Sequence, residues 1–149
     1  METHTVLIKT INKLITRHND LNAKFLSFSV VADGETLKGM LRQHADMHRF
    51  FSLQLVYDLK TYIPEAELNL HRTFANAIEM GWEDIKSSLG FDNDKDLEKN
   101  LAEEHQKSAA LCDEAFLQIP ESMNNLKTTL EEHIAWHKKV SEYLPEIEE

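Results

Sequence analysis

The chain has 149 residues, 42% of them hydrophobic and 28% charged, with a net charge of −10 when His is counted as neutral. That length and composition predict one domain with one substantial core, and the acidic balance argues against nucleic acid as a partner. No run approaches the ~20 apolar residues of a membrane span, the N-terminus lacks a basic flank and apolar stretch of the secretory kind, and the single cysteine, Cys112, excludes an internal disulfide framework, so a cytoplasmic protein is expected.

Four Gly and three Pro leave little material for loops, and the pattern gives five helical segments and no strand. The first helix covers about 3–31 and stops at Ala32-Asp33-Gly34; the second covers about 35–62 and stops before Pro64. A third segment, about 65–90, carries Leu70, Phe74, Ile78, Trp82, Ile85 and Leu89, and is long enough to cross from one end of a bundle to the other. Asp92-Asn93-Asp94 then offers caps for a helix over about 95–118, and Pro120-Glu121-Ser122 starts the last, about 121–144. The expected architecture is all-α: a four-helix bundle of two antiparallel helical hairpins, with a helical crossover between the second and third bundle helices. That is the ferritin-like plan rather than a simple up-down bundle. A single domain over 1–145 is expected, followed by a frayed acidic tail at 146–149.

Spacing of three and four residues keeps side chains on one helical face, so the inward seams can be read directly. The first runs Leu7, Ile11, Leu14, His18, Leu21, Phe25, Phe28. The second runs Leu37, Leu41, His44, His48, Phe51, Leu55, Asp58, Tyr62. The helix after the crossover runs Leu97, Leu101, His105, Ser108, Cys112, Ala115, Ile119, and the last runs Met123, Leu126, Leu130, His133, His137, Val140, Leu144. Six of eight histidines therefore stand where a bundle normally places Leu or Ile. Two core positions per heptad predict roughly two of eight by chance.

Height along the bundle is a second test. His18 lies 15 residues before Asp33 and His48 lies 15 after it, so in an antiparallel hairpin they sit side by side, about 22 Å from the turn. The same arithmetic about Pro120 puts His105 level with a point between His133 and His137. Both layers fall near mid-helix, so all six rings are expected to converge. A lone seam histidine is more often a hydrogen-bonded core residue than a ligand, but six neutral imidazoles packed together need a partner for every buried ring nitrogen.

The stretches Val31-Ala-Asp-Gly-Glu-Thr-Leu-Lys38 and Gly81-Trp-Glu-Asp-Ile-Lys-Ser-Ser-Leu89, with the closing His137, resemble an uncharacterised bacterial family of rubrerythrin-related, ferritin-like four-helix-bundle proteins. The resemblance implies the bundle fold. The family pattern has His-Arg before the Trp, where this chain has Glu79 and Met80, and a carboxylate about where His105 stands. The usual ferritin-like Glu-x-x-His signature is missing, since no histidine has a Glu three residues before it. The ligand types resemble instead the histidine-rich di-iron sites of hemerythrins, through the i, i+4 pairs His44/His48 and His133/His137.

Imidazoles one turn apart on one face can grip one ion or serve neighbouring ions, and imidazole suits Fe, Zn, Cu and Ni. The expected site is His18, His44, His48, His105, His133 and His137 around two transition-metal ions, iron foremost with zinc or copper as substitutes. Glu104, on the flank of its seam between Leu101 and Ser108, is the candidate bridging carboxylate. Glu131, Glu132, Asp20 and Asp46 lie at similar heights and read as ordinary solvated faces; Asp58 reads as a cap, polar break or outer partner. Trp82 and Trp136 read as packing anchors, His4 and His71 as surface residues. Cys112 reads as a small buried hydrophobe, two turns from His105 and too distant to join its layer. Three functional classes remain open: a non-haem dimetal protein, such as a di-iron oxidoreductase, that binds or reduces a small oxidant such as dioxygen or peroxide; a non-covalent haem binder; and an acidic structural or interaction bundle. A homodimer is compatible with each.

Overall fold

The computed structural model describes residues 2–68 and 90–147. Its four helices are α1 (Glu2–Val31), α2 (Glu35–Tyr62), α3 (Asp94–Phe116) and α4 (Asn124–Ile147). The described residues contain no strand, and the molecule is an all-α four-helix bundle, as its seams predict.

Two apolar clusters fix how the helices run. At one end Leu7, Ile11 and Leu14 of α1 meet Leu55 and Leu59 of α2, Cys112 and Ala115 of α3, and Leu126 and Leu130 of α4. At the other, Leu21, Phe25 and Phe28 meet Leu37 and Leu41, Leu97 and Leu101, and Val140. The start of α1 thus shares an end with the start of α4 and with the finish of α2 and α3. Helices α1/α2 and α3/α4 form antiparallel hairpins; α1 also packs on α3 and α2 on α4. Because α2 finishes at one end and α3 begins at the other, the chain has to travel the bundle's length between them. Residues 63–68 are turn and coil, so no helix begins at 65; the rest of the expected crossover, with Trp82 and His71, lies outside the described residues.

The helix boundaries follow local chemistry. Asn93 caps α3, its side-chain oxygen accepting from the Asp96 amide at 3.2 Å. The neighbouring Asp94 carboxylate accepts from the backbone N–H groups of Asp33 and Gly34, both at 2.9 Å, so the α1–α2 turn is fastened to the start of α3. Gly90 takes φ +73°, a left-handed conformation natural to glycine, just before this cap. Helix α4 begins three residues later than its Pro signal suggests. Pro120 to Met123 closes a turn, with the Met123 N–H on the Pro120 carbonyl at 3.0 Å. The helix then continues through Pro145 to Ile147, past the start expected for a frayed tail.

Apart from Leu144, whose side chain lies outside the described ones, the seams are buried almost as written. One departure is at the end of α2, where Leu59 and Ile63 enter the core and the expected Asp58 and Tyr62 are half-buried. The straight helix drifts relative to a seven-residue repeat, and over its last turns the inward stripe rotates past Asp58. Asp58 accepts a hydrogen bond from Thr129 and Tyr62 Oη accepts from the Asn125 N–H at 3.0 Å, pinning α2 to α4. Among the described residues no helix is long and apolar enough to cross a membrane.

Candidate metal centre

Between the two apolar clusters lies a layer of imidazoles. Helix α1 contributes His18, α2 His44 and His48, α3 His105, and α4 His133 and His137, and none is more than 1% exposed. All six predicted rings are brought together. His18 Nδ1 faces His48 Nδ1 at 2.8 Å. His105 joins the hairpins, its Nε2 lying 2.8 Å from His44 Nδ1 and its Nδ1 2.9 Å from His137 Nδ1. The His18 and His137 rings are parallel to within 8°, with centroids 6.0 Å apart. Phe51 lies over His133 at 3.9 Å, and Trp136 sets its indole edge-on to His44 and His105, the packing role expected of it.

Hydrogen-bond logic assigns protons within this layer. Gln54 Oε1 lies 2.9 Å from His133 Nε2, and a carbonyl oxygen only accepts, so the ring donates from Nε2 and keeps a bare lone pair on Nδ1. That Nδ1 is buried with no hydrogen-bond partner. In the His18–His48 contact one neutral ring donates from Nδ1 and the other accepts. One therefore carries a lone pair, and the other a proton, on Nε2. Both Nε2 atoms lack a partner, as does His137 Nε2. Four unpartnered ring nitrogens thus share one buried layer, where each such group costs about 1–3 kcal/mol.

Burial holds all six rings neutral. It pulls His44 down to about 4, and His133 to about 3. His105 falls to about 2, chiefly through burial, with His137 and His44 adding repulsion. His18, His48 and His137 lie well below the ordinary imidazole value, again through burial first and neighbouring imidazoles next. Neutral imidazole is the metal-binding form.

Two sets of ligand atoms lie within 4.8 Å of one another: His48, His105 and His137, and His18, Cys112 and His137. This buried cluster can hold a metal ion. Two nitrogens on one tetrahedral ion at about 2.0–2.1 Å stand about 3.3 Å apart, so the 2.9 Å contact between His105 and His137, both of one set, needs to open by only a few tenths of an ångström. His44 and His133 belong to the layer but to neither set.

Two expectations are corrected. Cys112 does reach the layer. The α1–α3 contacts Thr10–Gln118, Arg17–Ser108 and Lys24–Glu104 place His18 level with residue 109 or so, halfway between His105 and Cys112. The distance along α3 alone overlooked a ring on α1 that lies between them. Glu104, expected as a bridging carboxylate, turns the other way. Its oxygens lie 3.7 Å from Arg17, 3.4 Å from Lys24 and 3.8 Å from Lys107, outside both ligand sets. Arg17 is further held by the Ser108 hydroxyl at 2.9 Å and the Glu104 carbonyl at 2.8 Å. A flank residue faces whichever neighbour stabilises it, and three cations outweigh a layer of uncharged imidazoles.

The remaining carboxylates follow the solvated-face reading: Glu131, Glu132 and Asp46 are exposed and Asp20 is half-buried. His4 is exposed as expected. Gln54, Arg17 and Lys24 carry no distinctive sequence signal; only Gln54's place one turn after Phe51, beside the seam, hints at its role. Comparison with protein-family models, with curated proteins and with solved structures returns no match for this chain.

Proposed function

We propose that the chain is a non-haem transition-metal protein whose core histidines hold two ions, iron foremost with zinc or copper as competitors, and that it binds or reduces a small oxidant such as dioxygen or peroxide. The carrying observation is the set of four buried ring nitrogens without partners, on His18, His48, His133 and His137. A fold that retains such atoms loses stability unless something satisfies them, and an ion accepts imidazole lone pairs directly.

An ion in this layer supplies Lewis acidity and, if iron or copper, electrons for a bound oxidant. The chain's own groups do the rest. Gln54 orients His133 and fixes its tautomer, the outer-partner role that usually accompanies metal-bound histidine. Phe51 and Trp136 wall the layer, and the apolar clusters on either side keep bulk water out. No described carboxylate belongs to either ligand set, so the reading includes none.

The test is elemental analysis and absorbance of protein produced with iron available. Close to two transition-metal ions per chain, with near-ultraviolet absorption of an oxo-bridged pair that changes on adding peroxide, is the expected result. Less than about 0.2 equivalents of any transition metal after reconstitution overturns the reading. A Soret band in place of these features points to haem. A structural histidine cluster is favoured by one observation, the mutual bonding of His44, His105 and His137, and is the outcome if no metal loads.

A further inference from the structure

We infer that Cys112 is a metal ligand, and that with His18 and His137 it forms a mixed nitrogen–sulfur position distinct from the all-nitrogen set His48, His105 and His137. The inference rests on the metal-binding reading above and specifies one of its positions.

Three observations carry it. The Sγ of Cys112 and one ring nitrogen each of His18 and His137 lie within 4.8 Å of one another. All three side chains are fully buried, so this is a cluster within the core rather than a surface coincidence. His18 Nε2 and His137 Nε2 have no hydrogen-bond partner, so two of the three members carry an unsatisfied ring atom independently of the thiol.

The chemistry of this set differs from that of its neighbour. Thiolate is a soft donor, so a sulfur ligand beside two imidazoles makes this the position at which copper or zinc competes best with iron. On coordination the thiol proton is released to solvent and the sulfur enters as thiolate. The backbone makes the position possible. Cβ vectors tilt toward a helix N-terminus, so Cys112 on α3 leans toward the level of His105 and meets the antiparallel His18 midway. His137 is common to both sets; a neutral ring has one lone pair, so it would serve both positions at once only as a bridging imidazolate, with its remaining ring proton released to solvent.

Cobalt(II) is the probe, because the ion reports its ligands by colour and Cys112 is the sole cysteine. Intact chain titrated with cobalt(II) is expected to show visible d–d bands together with an intense near-ultraviolet thiolate-to-cobalt charge-transfer band. Cys112→Ser and Cys112→Ala are both expected to lose the charge-transfer band and about one equivalent of bound ion, while retaining the visible bands of the all-nitrogen set. His48→Ala is expected to retain the charge-transfer band. Visible bands without the charge-transfer band in the unaltered chain, or a band that survives in Cys112→Ala, overturn the assignment and leave metal binding intact. No cobalt bands of either kind in the unaltered chain overturn both. Circular dichroism of each variant establishes that it is folded, and the two replacements at Cys112 guard against one of them failing.

Discussion

His18 and His48 stand fifteen residues on either side of Asp33 and meet in the core with their Nδ1 atoms 2.8 Å apart. Each ring satisfies the other on one nitrogen and leaves its second nitrogen buried without a partner. The pair is stable enough to exist and poorly enough satisfied to need an explanation.

That relationship gives the sharpest stability test. Replacing His18 and His48 together with Leu removes both members of one hydrogen bond and both unpartnered nitrogens, stranding no other group. The metal-free double variant is expected to gain about 1–3 kcal/mol and to melt several degrees higher, while its metal content falls. Thermal unfolding followed by circular dichroism decides the matter. A lower melting temperature than the metal-free parent shows that the histidines are structural. His44 and His133 are the poorer choice, because their loss strands His105 Nε2 and Gln54 Oε1.

Ligand variants should fall in a graded order. His137 belongs to both ligand sets, His48 to one, and the exposed His4 to neither. His137→Ala should weaken loading of both positions at least 10–100-fold, the range already seen for outer partners, His48→Ala should lose about one ion, and His4→Ala should match the parent. Equal retention in all three variants, measured by competition with a chromophoric chelator, shows that the wrong rings were chosen.

Acid should unfold the metal-free protein early. Each of the six rings has a folded pKa below the ordinary imidazole value of 6.5, so below that pH the unfolded chain binds protons that the folded chain refuses. Stability is then fully present above pH 6.5 and is lost as pH falls toward the folded values. The loss is about 1.4 kcal/mol per ring by pH 5.5. Six rings sum to about 8 kcal/mol, comparable to the whole stability of a domain. An acid unfolding midpoint between about pH 5 and 6 is expected; a metal-free chain that stays folded at pH 4 shows that the rings accept protons in place.

Glu104→Gln separates a structural carboxylate from a ligand. The charge that holds Arg17, Lys24 and Lys107 is lost, and a destabilisation of about 1–3 kcal/mol in urea unfolding is expected, with metal stoichiometry unchanged. A fall in bound metal in a folded variant returns Glu104 to the site.

The sequence alone determined the four bundle helices, their inward faces and the histidine layer. A repeat of three and four residues specifies a face, and within a hairpin the turn fixes the register. Counting from Asp33 therefore placed His18 beside His48, and counting from Pro120 placed His105 level with a point between His133 and His137, the second of which it meets. Only the tertiary structure decided how one hairpin is set against the other, because the long connection between α2 and α3 fixes no register. That offset lifts Cys112 to within reach of His18. Flank positions are also beyond periodicity: Glu104 lies about 100° around the helix from His105, and its direction is chosen by the cations on α1 and α3 rather than by its own spacing. Seam residues have one environment whatever the packing, whereas flank residues take the one their neighbours provide.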